Sequence, residues 1–316
     1  METTPIFLKP VFKERIWGGT LLQTRFNYEI PSDRTGECWG ISAHPHGQST
    51  VLNGPYANLS LGELWERHRE LFGHHPADTF PLLTKILHAE ADLSVQVHPD
   101  DRYAHANENG ERGKSECWYL IDCEEGAEII FGHTAQTKPE LVGLIERGEW
   151  DQLLTRVPVK PGDFFYVPSG TIHALGAGTL VLETQQSSDT TYRVYDYDRT
   201  DDQGNKRKLH IDKAIDVTTI PHQPAPFAPL VDEQAGGTVT TYVRTEYFTV
   251  YKWDVRESLE LIQSHPFLLI SVIDGEGSLK TGSDTHALKR GDHLILPHGF
   301  GSFTLEGSIT AIASHP

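Results

Sequence analysis

The chain has 316 residues, 38% of them hydrophobic, and a formal net charge of −17. That length suits one or two domains with proper cores, the composition excludes a disordered chain, and the charge argues against the basic stripe a nucleic-acid partner needs. No apolar run nears the roughly 20 residues of a membrane helix. The early Ile6-Phe7-Leu8 meets Lys9 at once, so no signal-peptide core is expected. Three cysteines, Cys38, Cys117 and Cys123, cannot form a disulfide framework and suit a reducing compartment. The expectation is a soluble cytoplasmic protein without membrane or nucleic-acid partners, its oligomeric state left open and a monomer allowed.

Helix signals are few. Ser60-Leu61-Gly62-Glu63 is a capping box opening an amphipathic stretch that stops at Gly73. Thr137-Lys138-Pro139-Glu140 is a second box, with Leu141, Leu144 and Ile145 following on one helical face. Elsewhere the chain falls into short alternating or apolar pieces, at 93–97, 117–121, 164–167, 180–184, 238–243, 248–253 and 267–273, punctuated by Gly, Pro, Asp and Asn. Such spacing predicts a mainly β protein of sandwich or barrel type. The proline-rich stretch 221–229 reads as a linker. It divides residues 1–230, which carry the helices, from a smaller β domain at 231–316.

An internal repeat supports two related modules. Gly162-Asp163-Phe164-Phe165-Tyr166-Val167-Pro168-Ser169-Gly170-Thr171-Ile172-His173 matches Gly291-Asp292-His293-Leu294-Ile295-Leu296-Pro297-His298-Gly299-Phe300-Gly301-Ser302, with Gly, Asp, Pro and Gly at identical offsets. Gly-Asp turns the chain into a strand and Pro-x-Gly turns it back. Where the first copy ends in His173 the second has Ser302, so ligand or acid–base chemistry at that position survives only in the first.

The Gly-x5-Pro-x-Gly-x2-His pattern of residues 162–173 resembles the second motif of the cupin superfamily, which implies two jelly-roll modules, the second degenerate. In that fold a first motif supplies two ligands on one strand and an acid on the next; the chain offers Gln96-Val97-His98 and then Glu116. Strand alternation points Ser94, Gln96 and His98 the same way, and likewise Lys114, Glu116 and Trp118. Two imidazoles, a carboxylate and an amide suit a borderline divalent ion, zinc first. A buried carboxylate without a partner is expensive, which favours a metal beside Glu116; Gln96 either ligates or orients His98. Lys114, expected at the barrel mouth beside a dication, should have a lowered pKa. Residues 191–199 are dense in aromatic and charged side chains, with Arg193, Tyr195 and Tyr197 expected on one face; as residues alone they read equally as a site wall or a salt-bridged sheet edge.

Taken together, the segments Ser94 to Pro99, Gly113 to Tyr119, Tyr166 to His173 and Thr191 to Arg199 resemble type I phosphomannose isomerases, in particular their short bacterial form. The resemblance implies one zinc ion per chain held by His98, Glu116 and His173 with Gln96 a frequent fourth ligand, Arg193 as a catalytic residue, and Lys114 in the pocket. It implies interconversion of mannose 6-phosphate and fructose 6-phosphate through a cis-enediolate; from their positions in the chain, Ser94 and Lys85 are expected to bind the substrate. Arg102, Arg112 and Arg199 are further cations available to the phosphate. Longer members carry His-Lys-Pro-Glu where this chain has Gly113-Lys114-Ser115-Glu116, so Gly113 cannot take over that His. A cupin dioxygenase and a non-catalytic sugar-binding cupin are the competing readings.

Overall fold

Strands dominate because the chain keeps alternating small, branched and aromatic residues with polar ones over short runs. The computed structural model describes residues 4–200, 203–282 and 284–316. It is a mainly β, two-module cupin-type fold with a few short helices.

Two sheets face each other in the first module. A six-stranded sheet runs Phe164–Val167, Glu116–Cys123, Thr179–Gln186, Leu82–Ala89, Thr35–Ile41, Val11–Gly19; a five-stranded sheet runs Leu154–Pro158, Glu128–His133, His173–Leu175, Val95–Val97, Tyr192–Tyr195. Trp118, Leu120 and Val181 from the first meet Ile129 and Leu175 from the second in one buried cluster. Outside the five-stranded sheet, Val95 and Val97 pack with helix residues Leu141, Leu144 and Ala214. Outside the six-stranded sheet, Cys117 and Leu182 join Phe248, Phe267 and Ile312 from the C-terminal part of the chain. The modules therefore share a continuous apolar contact.

The C-terminal strands lie in a ten-stranded sheet, and it is not built from late residues alone. Ile6–Lys9 pairs antiparallel with His293–Leu296, Ile6 opposite Ile295, and on its other edge with Thr50–Val51. Residues 218–229 carry no helix or strand and lead into Leu230–Gln234.

The repeat is structural as well as sequential. Gly162 and Gly291 both have φ of +91°, the left-handed region that glycine tolerates. Asp163 accepts from the Lys160 amide at 3.0 Å, and Asp292 from the Lys289 amide at 2.9 Å. Thr171 N donates to the Pro168 carbonyl and Phe300 N to that of Pro297, at 3.2 and 3.3 Å. The copies part at their ends: His173 is buried and Ser302 exposed.

Both helix starts form. Ser60 and Glu63 make the full reciprocal box at the head of Leu61–Arg67, and Gly73 closes the following 3₁₀ turn at φ +60°. At Lys138–Glu146, Thr137 caps the Glu140 amide, but the Glu140 carboxylate reaches the amide of Gln136 instead of that of Thr137. All three cysteines are free. No described helix is long and apolar enough to cross a membrane.

Candidate active site

Alternation decides which side chains enter the space between the two facing sheets. On Val95–Val97 the valines turn outward onto the helices, so Gln96 and the flanking Ser94 and His98 turn inward. On Glu116–Cys123, Cys117 and Tyr119 face the C-terminal part, leaving Glu116 and Trp118 inside. His173 opens its strand directly opposite Gln96.

The result is a buried group. One ligating atom each from His98, Glu116 and His173 lies within 4.8 Å of the others, the one such group among the described residues. His98 Nε2 is 3.4 Å from Glu116 Oε2, and His173 Nε2 is 3.3 Å from Glu116 Oε1. Each imidazole is oriented from behind: His98 Nδ1 donates to the Thr190 carbonyl at 2.8 Å, and His173 Nδ1 to that of Thr171 at 2.8 Å. With both protons committed to backbone carbonyls, the two Nε2 lone pairs point at a carboxylate. Glu116 Oε1 is buried with no hydrogen-bond donor. The His173 Nε2 lone pair faces that unsatisfied oxygen and is repelled by it unless a cation stands between them, so this donor set fits a divalent metal ion. Gln96 lies against His173, its amide 3.4 Å from Nε2. A half-turn of that amide presents its oxygen to the same point. It does not orient His98, a task the Thr190 carbonyl performs.

Lys114 enters the same space. Its ammonium bonds Glu116 Oε2, lies 3.2 Å from His98 Nε2 and 3.9 Å from Glu183 Oε1. Burial pulls its pKa down, yet Glu116 and Glu183 outweigh burial and hold it above the ordinary lysine value. Glu116, two residues along the same stretch, and Glu183, on the adjacent strand, supply the two carboxylates, which the expected lowering beside a dication left out of account. Burial pushes Glu116 up, but the Lys114 ammonium and the two imidazoles leave it well below the usual carboxylate range. Burial, with the Lys114 charge second, lowers His98 to about 4.

In front of this group opens a cavity of about 430 Å³, with Gln96 and Lys114 on its wall. A larger depression, about 780 Å³, lies elsewhere, between the N-terminal segment and the C-terminal strands. It has neither Gln96 nor Lys114, the side chains that reach the ligand group, so the smaller cavity is the chemically equipped one. Ser94, Lys85 and Arg193 all line it. Arg193 sits across from Gln96 and its Nε donates to Ser94 Oγ at 3.2 Å. Lys85 is buried 3.5 Å from Glu183 Oε1.

Several expectations need correction. A register shift between Arg193 and Tyr195 turns Tyr195 to the opposite face, where it stacks on Trp150 at 4.4 Å. Arg102 and Arg112 line a separate depression beside Tyr247, and Arg199 is tied up with Asp196. Glu183, Arg15 and Arg207 line the cavity although the sequence reading passed over them. Glu183 had a signal, a carboxylate inside the buried run Thr179–Gln186. Arg207 had none.

A double-layered β fold enclosing a two-histidine, one-carboxylate group defines a cupin-type protein with a candidate cation site. Residues 6–121 match the family model for the phosphomannose isomerase type I catalytic domain, and residues 238–316 that for the mannose-6-phosphate isomerase cupin domain. The chain is 58% identical to mannose-6-phosphate isomerase ManA of Bacillus subtilis (strain 168), covering 100% of both chains. It is 55% identical to a mannose-6-phosphate isomerase of Streptococcus mutans over 98% of each. A crystal structure of mannose 6-phosphate isomerase from Bacillus subtilis superposes with a TM-score of 0.98 at 57% identity, over 99% of this chain and 100% of that one. The chain belongs to the type I phosphomannose isomerase family of enzymes.

Proposed function

We propose that this enzyme interconverts mannose 6-phosphate and fructose 6-phosphate by moving a proton between C1 and C2 through a cis-enediolate. The observation that carries the reading is the orphaned Glu116 Oε1, 3.3 Å from His173 Nε2, with His98 Nε2 3.4 Å from the other carboxylate oxygen and the Nδ1 of each imidazole already engaged. His98, Glu116 and His173 hold one zinc ion per chain, with the Gln96 amide oxygen as fourth ligand. The ion supplies Lewis-acid stabilisation of negative charge on the sugar oxygens.

The chain's own groups do the rest. Lys114 and Glu183, 3.9 Å apart beside the ligands, are the groups that can hold and pass a proton near C1 and C2. Arg193, whose guanidinium donates to the neutral oxygens of Ser94 and Lys208 and has no carboxylate hydrogen-bond partner among the described residues, keeps its charge for an oxygen that turns anionic. Ser94 fixes that guanidinium and borders the sugar, and Lys85 steadies Glu183. We place the enzyme in the cytoplasm on its free thiols.

Elemental analysis of the purified protein, combined with a coupled mannose-6-phosphate assay, tests the proposal. One zinc per chain together with fructose 6-phosphate formation is the expected result. The same donor set serves iron in oxygenases, so iron with oxygen uptake and no isomer formed refutes it.

A further inference from the structure

Trp118 and Glu183 stand directly opposite each other on neighbouring strands, Glu116–Cys123 and Thr179–Gln186, and both line the cavity. Trp118 Nε1 donates to Glu183 Oε2 at 3.1 Å, the one hydrogen bond that this carboxylate receives among the described residues. We infer that Trp118 is a positioning residue for the isomerisation: its N–H holds the Glu183 carboxylate so that Oε1 stays free for proton transfer. The inference rests on the isomerase reading and deepens it by naming what aims Glu183.

An indole buries readily, but its single N–H asks for an acceptor. Trp118, buried at 1% exposure, meets that demand with one carboxylate oxygen. The consequence lies at the other oxygen. Glu183 Oε1 is buried without any hydrogen bond, while the ammoniums of Lys85 and Lys114 stand 3.5 and 3.9 Å from it. A carboxylate free to turn about its last bond would close on one of those ammoniums and settle into an ordinary ion pair. The bond to Nε1 fixes the carboxylate plane and prevents that closure.

Charge points the same way. Burial, and then the Glu116 charge, raises the Glu183 pKa against the Lys114 and Lys85 ammoniums and the indole bond. The group is therefore nearer to holding a proton than a surface glutamate is, as suits a carboxyl that takes a proton and returns it. Isomerisation gives back at one carbon the proton it removes from the next, so the oxygen that carries it must keep one position through both halves. A misplacement of about 1 Å costs roughly 100-fold in rate. Trp118 also turns an edge to the His173 ring, centroids 5.3 Å apart at 71°. A loss routed through that ligand is the competing outcome.

Trp118→Phe keeps an aromatic ring and removes the donor; benzothienylalanine at position 118 removes the donor and keeps the indole's shape, which guards against a variant that fails to fold. Both should lower kcat for mannose 6-phosphate about 10- to 100-fold, with KM within about twofold and metal content unchanged. The isotope effect on kcat with mannose 6-phosphate deuterated at C2 should grow, because proton transfer becomes the slower step. In a Glu183→Gln background, where that oxygen carries no proton, Trp118→Phe should cost less than about twofold. Loss of metal, a kcat loss that repeats in full beside Glu183→Gln, or an unchanged kcat with only the melting temperature lowered would overturn the inference.

Urea unfolding of wild type, the two single variants Trp118→Phe and Glu183→Gln, and their double variant reports the bond without any turnover. The factor by which Trp118→Phe raises the unfolding constant should be at least about threefold smaller beside Glu183→Gln, because a bond to a neutral acceptor is worth less than one to a carboxylate. A wild type that forms no fructose 6-phosphate yet shows that coupling refutes isomerisation alone; an active wild type without the coupling refutes the anchor alone.

Discussion

Arg193 stands directly across from Gln96 on the neighbouring strand, and the irregularity that follows sends Tyr195 to the far side of the sheet. The guanidinium is thereby left as the only member of the Tyr192–Tyr195 strand lining the cavity. Arg193→Ala should lower kcat/KM for mannose 6-phosphate about 100- to 1,000-fold, the usual cost of removing one donor to a developing oxyanion. Metal content should not change, because Arg193 touches none of the three ligands. Kinetics and elemental analysis on one preparation check both halves; loss of metal would mean that Arg193 supports the ligands instead.

Glu116→Gln removes the single negative charge among the ligands. Metal occupancy should fall at least about 10-fold, within the range seen when a site's support is damaged, and activity should fall with it. Chelator treatment of the wild type should abolish activity and added zinc restore it. Retained metal in Glu116→Gln would show that the two imidazoles suffice.

His293 gives a pH dependence that is independent of the active site. It is buried between Ser271 Oγ at 2.8 Å and Tyr28 Oη at 3.0 Å, and burial lowers its pKa to about 4. In the unfolded chain the ring protonates near 6.5, so between those values the unfolded state binds the extra proton. Stability from this group is therefore complete above pH 6.5 and is lost as the pH falls toward 4. Going from pH 7.5 to 5.0 it should cost about 2 kcal/mol. Urea unfolding of wild type and His293→Gln at the two pH values checks this: the gap between the proteins should shrink by about that amount at pH 5.0. An unchanged gap would mean that the ring is protonated in the fold.

Gly113 tests the departure from the longer family members. A Cβ there would lie 2.4 Å from the Asp101 amide nitrogen and 2.5 Å from the Asp100 carbonyl carbon, both backbone atoms. Gly113→His should therefore destabilise by about 1–3 kcal/mol through overpacking and reduce activity. A thermal melt beside the coupled assay decides it; a gain of activity with an unchanged melt would show that the start of helix Asp101–Asn107 yields.

The candidate group His98, Glu116 and His173 was legible because the resemblance to cupin motifs picks out its members, and two local rules keep them together: alternation on Val95–Val97 and Glu116–Cys123, and the Gly-Pro-Gly frame that delivers His173. Those rules act over a few residues, and the fold preserves them. Tyr195 escaped because a register shift leaves no mark in composition. The basicity of Lys114 escaped because Glu183, which helps raise it, reaches it from a strand nearly seventy residues later. Arg15 and Arg207 come from opposite ends of the first module, and only tertiary assembly brings them to one cavity.

The pairing of Ile6 with Ile295 has a consequence for biosynthesis. At about 5–20 residues per second a ribosome needs roughly 15–60 s to deliver the second partner after the first. Throughout that interval the leading strand has an open edge, which exposed backbone of other nascent chains could template. A truncation that stops at the proline-rich linker makes that condition permanent. Such a fragment should precipitate on expression even though it retains every ligand of the candidate metal site.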